Sequence, residues 1–154
     1  MAQDPSRSDW PAWSLPISKL RGVPQTARVR LKSRRITNCG QLLAAAAVAE
    51  RRQSLARATG IDPLVLEAVV RRADMSRVNG IGAVFGMMLE ELDILDVGAL
   101  ARQDPARLHG SLRDYNRQER IARRSPTPEE VEDWVRQARA LPQVVTCPEE
   151  EPSS

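Results

Sequence analysis

The chain carries its strongest fold signal at Met75–Leu89, which reads MSRVNGIGAVFGMML. Gly80 and Gly82 flank the apolar Ile81, and the apolar residues that follow recur at helical spacing. Glycines at these two positions fit a tight turn, because glycine adopts backbone conformations that other residues rarely reach. They also leave backbone N–H groups at the start of the next helix uncovered. The stretch therefore predicts two helices joined by a short hairpin.

This stretch resembles the helix-hairpin-helix motif, in which hairpin amides commonly grip a nucleic-acid phosphate. A lone Gly-x-Gly pattern would be weak evidence, but apolar residues lie on both sides of it, Val78 before and Phe85 after. The resemblance makes Gly80, Ile81 and Gly82 a candidate nucleic-acid site.

The composition predicts an all-α protein. The 154 residues include only one Phe, one Tyr and three Trp, so the aromatic residues that favour strands are scarce. Ala, Leu and Arg, which favour helices, dominate instead. No useful run alternates between apolar and polar residues. A chain of this length can bury one sizeable core or two small ones.

Catalytic and metal-site patterns are missing from the sequence. Cys39 and Cys147 have no paired spacing, and His109 is the single histidine, so no metal site or disulfide framework is expected. The sequence contains neither a phosphate-binding P-loop nor His-Glu-x-x-His. We expect no enzyme activity, no cofactor and no small-molecule substrate.

The sequence also predicts a cytoplasmic protein without a membrane partner. It has no apolar run approaching the roughly 18 residues of a spanning helix. Its first residues lack the basic-then-apolar pattern of a signal peptide.

An earlier stretch of the chain repeats the glycine hairpin at a constant offset of 58 residues. Seven matches on one ungapped offset make chance an unlikely source, so the pattern predicts an internal duplication. The matched pairs are Leu20 and Val78, Gly22 and Gly80, Val23 and Ile81, Leu31 and Leu89, Ile36 and Ile94, Gly40 and Gly98, and Leu42 and Leu100.

The repeat continues into a closing helix at an offset of 65. Asp62-Pro63 and Thr127-Pro128 each read as an N-cap followed by proline at the first helical position. Thr127 with Glu130 three residues later also fits a capping box. The matched residues are Leu66, Glu67, Val69, Val70, Arg71 and Ala73 with Val131, Glu132, Trp134, Val135, Arg136 and Ala138.

These patterns predict an organisation in three parts. Residues 1–15, which include two tryptophans, form a flexible N-terminal arm. Residues 16–141 form one all-α domain, a pseudo-twofold pair of helix-hairpin-helix units of the SAM-like class, with repeat one at 16–74 and repeat two at 75–141. Residues 142–154 read as an acidic, disordered tail. The oligomeric state is left open.

The tandem arrangement resembles the bacterial domain of unknown function DUF4332, over roughly Ile17 to Leu141. The motifs that carry this resemblance are the Gly-Ile-Gly hairpin, the helix start at Asp104-Pro105 with Leu108-His109, and the run Val131-Glu132-Asp133-Trp134. The resemblance implies a fold built from paired helix-hairpin-helix units. It implies no settled activity, so function has to be argued from the residues.

Charge is divided unevenly between the two halves. Residues 19–72 hold 12 Lys/Arg against 3 Asp/Glu, a net +9, whereas residues 73–154 hold 10 against 15, a net −5. A half that basic can attract a polyanion. The cations around the first hairpin are Lys19, Arg21, Arg28, Arg30, Lys32, Arg34 and Arg35. They cannot all lie on one side of a helix, so several are expected to face water.

Neither hairpin has every feature that phosphate binding requires. The position that matches Gly82 is Pro24, which has no N–H to donate. The second hairpin has its glycines, but Glu90, Glu91 and Asp93 follow it and would repel a phosphate.

Three functional hypotheses therefore stay open. In the first, the basic half binds nucleic-acid backbones weakly and without sequence preference, assisted by amides near Gly22. In the second, the hairpins are purely structural and the protein is an interaction scaffold for a protein partner. In the third, the two oppositely charged halves complement each other, within one molecule or between copies.

Overall fold

The protein is entirely helical in the part of the chain that the computed structural model describes, residues 15–146, which contains no β-strand. The all-α prediction is thus confirmed. The predicted N-terminal arm lies outside the described residues except for Leu15. A 3-10 turn at Ile17–Lys19 precedes eight helices: α1 (Gln25–Ser33), α2 (Cys39–Ala46), α3 (Ala49–Thr59), α4 (Pro63–Met75), α5 (Gly82–Glu91), α6 (Val97–Ala101), α7 (Pro105–Glu119) and α8 (Pro128–Ala140).

The chain divides into two compact units after Asp74. Unit one contains the described residues 15–74 together with 144–146, and unit two is Met75–Gln143. Each unit has its own core of buried aliphatic side chains.

The core of unit one forms because α1, α2 and α4 each bury their apolar stripe. The side chains of these helices that lie at the centre of the core are fully buried, namely Leu31, Leu42, Leu66 and Val70. The segment before α1 is fixed to this core by backbone pairing, since the Ile17 N–H donates to the Thr37 carbonyl at 2.9 Å.

Unit two is built around the long amphipathic helix α8, which packs on α6 and α7. Trp134 of α8 is buried in this core, with 1% of its surface exposed. The centroid of its ring lies 5.6 Å from the centroid of the Phe85 ring on α5. Asn116, which is buried on α7, donates to the Ala122 carbonyl and accepts from the Ala122 N–H, so it fixes the loop between α7 and α8.

The helix boundaries form as the capping residues predict. The Asp62 carboxylate accepts from the Leu64 N–H at 2.8 Å, one residue into α4. Thr127 and Glu130 complete the capping box at the start of α8. Gly60 ends α3 in the left-handed conformation, with φ +74°. These contacts satisfy backbone groups that a helix end would otherwise leave without partners.

The packed chain extends further than the boundary predicted for the acidic tail. Val145 is only 4% exposed and belongs to the core of unit one. The Thr146 N–H donates to the Ala47 carbonyl at 3.0 Å, and the Thr146 hydroxyl accepts from the Ala49 N–H at 2.8 Å. The apolar pair before Thr146 explains the difference, because the buried Val145 and the partly buried Val144 offset the cost of ordering the segment.

Candidate nucleic-acid interface

The first hairpin turns at Gly22, whose φ of +73° lies in the left-handed region that favours glycine. Arg72, near the end of α4, donates through Nη1 to the carbonyls of Arg21 at 3.0 Å and Gly22 at 3.3 Å. A Cβ at Gly22 would lie 2.6 Å from that same nitrogen. A side chain at position 22 would therefore require the Arg72 guanidinium to shift.

Four exposed charges of unit one lie on α1 and in the turn after it. We call them the α1 cations: Arg28, Lys32, Arg34 and Arg35. All four are exposed, and none has an ion pair or side-chain hydrogen bond within residues 15–146. Arg28 and Lys32 are four residues apart on the helix and are therefore neighbours on its surface. Lys19, in the 3-10 turn, is exposed as well.

The remaining predicted cations of this half have structural contacts. Arg30 donates through Nη1 to the Gly60 carbonyl at 2.9 Å, so it joins α1 to the end of α3. Arg21 is half-buried, and its carbonyl accepts from Arg72. The structure thus brings part of the predicted basic set to the surface as unpaired charge and uses part of it to hold the fold.

The second hairpin exposes its two glycines and buries the residue between them. Gly80 and Gly82 have φ of +93° and +73°, and Ile81 is 6% exposed. A Cβ at Gly82 would meet no atom within 4 Å. Since α5 begins at Gly82 without a side-chain cap or an acid in its first turn, its N-terminus is open to solvent. The side chain of Ile81 contributes to the core rather than to a binding surface.

The second hairpin is held by Gln137 of α8. The Asn79 N–H donates to the Gln137 Oε1 at 2.8 Å, and Gln137 Nε2 donates to the Asn79 carbonyl at 3.1 Å. This amide therefore occupies the Asn79 N–H, which is no longer available to a phosphate.

The acids that follow the second hairpin lie at the far end of α5. Glu90 and Glu91 are the last two residues of that helix, so they lie about 12–14 Å along its axis from Gly82 at a rise of about 1.5 Å per residue. That separation exceeds the screening length of about 8 Å at physiological salt. Their repulsion of a phosphate at the hairpin is accordingly weaker than their proximity in sequence suggests.

Two side chains near this hairpin come from distant sequence and were not predicted. The Arg124 guanidinium carbon lies 5.5 Å from the centroid of Phe85, one turn into α5. The indole nitrogen of Trp134 is the nearest atom to a Cβ built on Gly80, at 3.6 Å. The positions of Arg124 and Trp134 depend on the loop between α7 and α8 and on the packing of α8. No local sequence signal could therefore have placed these side chains near the hairpin.

Glu130 largely neutralises Arg124. The two side chains form a bidentate pair, with oxygen–nitrogen distances of 2.6 and 3.1 Å. The hydrogen bonds from Arg124 and from the Thr127 N–H lower the pKa of Glu130 to about 2, and the same pairing raises the pKa of Arg124. Arg124 thus brings little net positive charge to the second hairpin.

His109 and Cys39 lie in separate places in the described part of the chain. His109 lines a groove of about 720 Å³ in unit two with Asp104, Glu132, Arg136 and Arg139, but Arg139 is bonded to the Ala101 and Gln103 carbonyls. Cys39 is buried at the start of α2. Within the described part of the chain no three His, Cys, Asp or Glu residues are grouped so that they could hold a metal ion.

None of the helices between residues 15 and 146 combines the length and apolar character that crossing a membrane requires. The predicted cytoplasmic location stays a prediction.

Comparison with family models matches residues 21–141 to "Domain of unknown function (DUF4332)". The match covers most of the chain, so the protein belongs to the DUF4332 family, and the resemblance noted from the sequence is confirmed. Comparisons with curated proteins and with solved structures return no match.

Proposed function

We propose that this member of the DUF4332 family is a non-catalytic binding module that holds nucleic-acid backbones, DNA included, without sequence preference through unit one. The observation that carries the proposal is that the four α1 cations are exposed and lack ion pairs among the described residues. No Asp or Glu occurs in residues 15–49, so no acid on α1 or α2 offsets their charge. Such charges bind phosphates by releasing condensed counterions, which needs no base contacts.

The first hairpin supplies the second part of this proposed surface. Lys19 is exposed just before the hairpin, and Gly22 is exposed within it. Because Arg72 has donors and no acceptor atoms, its bonds to the hairpin end on the Arg21 and Gly22 carbonyls and do not occupy a hairpin N–H. Pro24, the N-cap of α1, supplies no N–H, so side chains carry more of the proposed binding here than amides do.

We further propose that the two units are duplicated helix-hairpin-helix units. Support comes from non-glycine residues in the left-handed conformation at matched positions, Arg35 and Asp93, both with φ +64°. Each follows a helix, and the next residue, Ile36 or Ile94, donates to a matched leucine carbonyl at 3.0 or 2.9 Å.

The closing helices also support the duplication. At the offset of 65, the bounds of α4 coincide with those of α8, and both helices have 13 residues. Arg72 and Gln137 are matched at this offset, and each bonds to matched hairpin residues, Arg21 and Asn79. The division of the chain after Asp74 agrees with the proposed repeat boundary. The pseudo-twofold relation stays a prediction.

A specific observation favours the alternative, protein interaction, for unit two. The first three residues of α5, Gly82, Ala83 and Val84, are all exposed and uncharged, and Val84 is 44% exposed. A surface that combines an apolar side chain with open amides suits a protein partner as well as a phosphate. Under this alternative the hairpins are a scaffold.

Binding of labelled random-sequence duplex DNA, followed by fluorescence anisotropy at several salt concentrations, tests the proposal. We expect micromolar affinity that falls steeply with salt. The double variant R28E/K32E is expected to weaken binding at least tenfold for unrelated sequences alike and to lower the salt slope by about 2. Arg30 is left unchanged because its reversal would also remove the bond to Gly60.

The matched control reverses two exposed arginines of unit two in the variant R102E/R117E, which changes the net charge equally. Binding that weakens equally in both variants would indicate non-specific attraction by net charge. If even low salt gives no binding, or if R28E/K32E binds like the wild type, the α1 cations are not the surface. Protein interaction then becomes the leading hypothesis.

A further inference from the structure

The chain continues from Thr146 into residues 147–154, whose sequence includes Glu149, Glu150 and Glu151 and no Lys or Arg. We propose that these three carboxylates dock on the α1 cations of the same molecule and compete with a polyanion for them. The competition with a polyanion rests on the proposed function, whereas the docking of the carboxylates does not.

The first step in the argument is that Thr146 is fixed to unit one. Arg52 is 3% exposed and donates to the carbonyls of Ala46, Ala47 and Thr146, the last at 2.5 Å. Thr146 also bonds to the first residue of α3, Ala49. These contacts, together with the burial of Val145, set the point from which the acidic segment leaves unit one.

The second step is that α1, the helix that carries these cations, is joined to the far end of α3. Thr146 is bonded at the start of α3, and Arg30 of α1 is bonded at Gly60, directly after the end of α3. The 11 residues of α3 span about 16 Å. An extended chain covers roughly 3.5 Å per residue, so the backbone of Glu151 can reach about 17 Å from Thr146, the length of α3, whereas that of Glu149 reaches about 10 Å along the same path.

The third step is charge complementarity. The α1 cations lack ion pairs among residues 15–146, and the exposed Arg51 and Arg57 lie along α3 between the two ends of the proposed path. The acidic run brings three negative charges. A tether this short holds them at an effective concentration in the millimolar range, which favours contacts that would be too weak between separate molecules.

The test compares the full chain with the variant E149Q/E150Q/E151Q. Without DNA, backbone amide NMR shifts of Arg28, Lys32 and Arg34 are expected to differ between the two proteins at low salt and to converge at high salt. Labelled random-sequence duplex DNA is expected to bind the variant about fivefold more tightly at low salt.

The matched control, E91Q/E119Q/E129Q, removes the same charge from exposed positions in unit two. An equal gain in DNA affinity in this control would overturn the competition, because net charge alone would explain it. Unchanged α1 shifts in the tail variant would overturn the docking even if DNA binds. If no protein binds DNA while the shifts occur, docking is supported and the proposed nucleic-acid function fails.

Discussion

The two hairpins are held by residues that match at the sequence offset of 65, Arg72 and Gln137, but by different chemistry. In unit one Arg72 donates to the Arg21 and Gly22 carbonyls, and in unit two Gln137 both donates to and accepts from Asn79. A guanidinium has only donors, whereas an amide has a donor and an acceptor. The first clamp therefore adds charge beside its hairpin, and the second occupies an N–H and adds no charge.

This difference matches the character of the surrounding surfaces. The cationic clamp accompanies the exposed α1 cations, and the neutral clamp accompanies an uncharged start of α5 that contains Val84. The two units thus present hairpins with different chemistry. The comparison suggests that only the first is suited to a polyanion, and it can be tested at the glycines, at the clamps and at the cap of α8.

The largest expected effect is a difference between the variants Gly22→Ala and Gly82→Ala. Both glycines have φ +73°, so each alanine costs about 1–2 kcal/mol in backbone strain. At Gly22 the new Cβ would also displace the Arg72 guanidinium from 2.6 Å, which removes two hydrogen bonds of about 1 kcal/mol each. Urea unfolding should give a loss of about 3 kcal/mol for Gly22→Ala.

The control is Gly82→Ala, where no atom lies within 4 Å of the added Cβ. We expect a loss of only about 1–2 kcal/mol there, from strain alone. Equal losses at the two sites would mean that Arg72 relaxes without cost and that its clamp is not stabilising.

An intermediate effect is expected when the clamp of unit two is removed. Gln137→Met keeps the length of the side chain but loses both bonds to Asn79, so the free energy of unfolding should fall by about 1–2 kcal/mol. Hydrogen exchange measured by NMR should show faster exchange of the Asn79 amide. Arg72→Met, in the other unit, serves as the control because it should leave the exchange of the Asn79 amide unchanged. Faster exchange of this amide in both variants would contradict the expectation that Arg72 and Gln137 hold their hairpins independently.

The smallest expected effect is a loss of stability of unit two at acid pH. Arg124 and the Thr127 N–H hold the pKa of Glu130 at about 2, below its ordinary 4.5, because the folded state stabilises the carboxylate. The resulting stability is fully present above about pH 4.5 and is lost as the pH falls towards 2. Unit one has Val65 at the matched position, so this contribution is specific to unit two.

NMR titration of the Glu130 carboxyl checks this expectation. Arg124→Met should raise the Glu130 pKa towards its ordinary value while the Thr127 bond keeps it somewhat low. Thr127→Val serves as a companion variant, since it removes the hydroxyl of the capping box and leaves the ion pair. An unchanged Glu130 pKa in Arg124→Met would show that the pair does not form in solution.

Much of the fold could be read from local patterns. Asp62 and Thr127 predicted the starts of α4 and α8, because caps satisfy nearby backbone groups. Local patterns did not predict how far the packed chain extends at its C-terminal side, because Val145 is buried in the core of unit one, whose other residues are distant in sequence.

The sequence by itself determined the helices, their caps, the family and the charge of each half, because each depends on neighbouring residues or on composition. Only the tertiary structure decided which cations are available. Arg30 and Arg52 donate to carbonyls at helix ends, whereas Arg28 and Lys32 make no side-chain hydrogen bond or ion pair among residues 15–146. A guanidinium finds carbonyl partners only where packing brings a helix end within reach, and no local pattern of residues encodes that meeting.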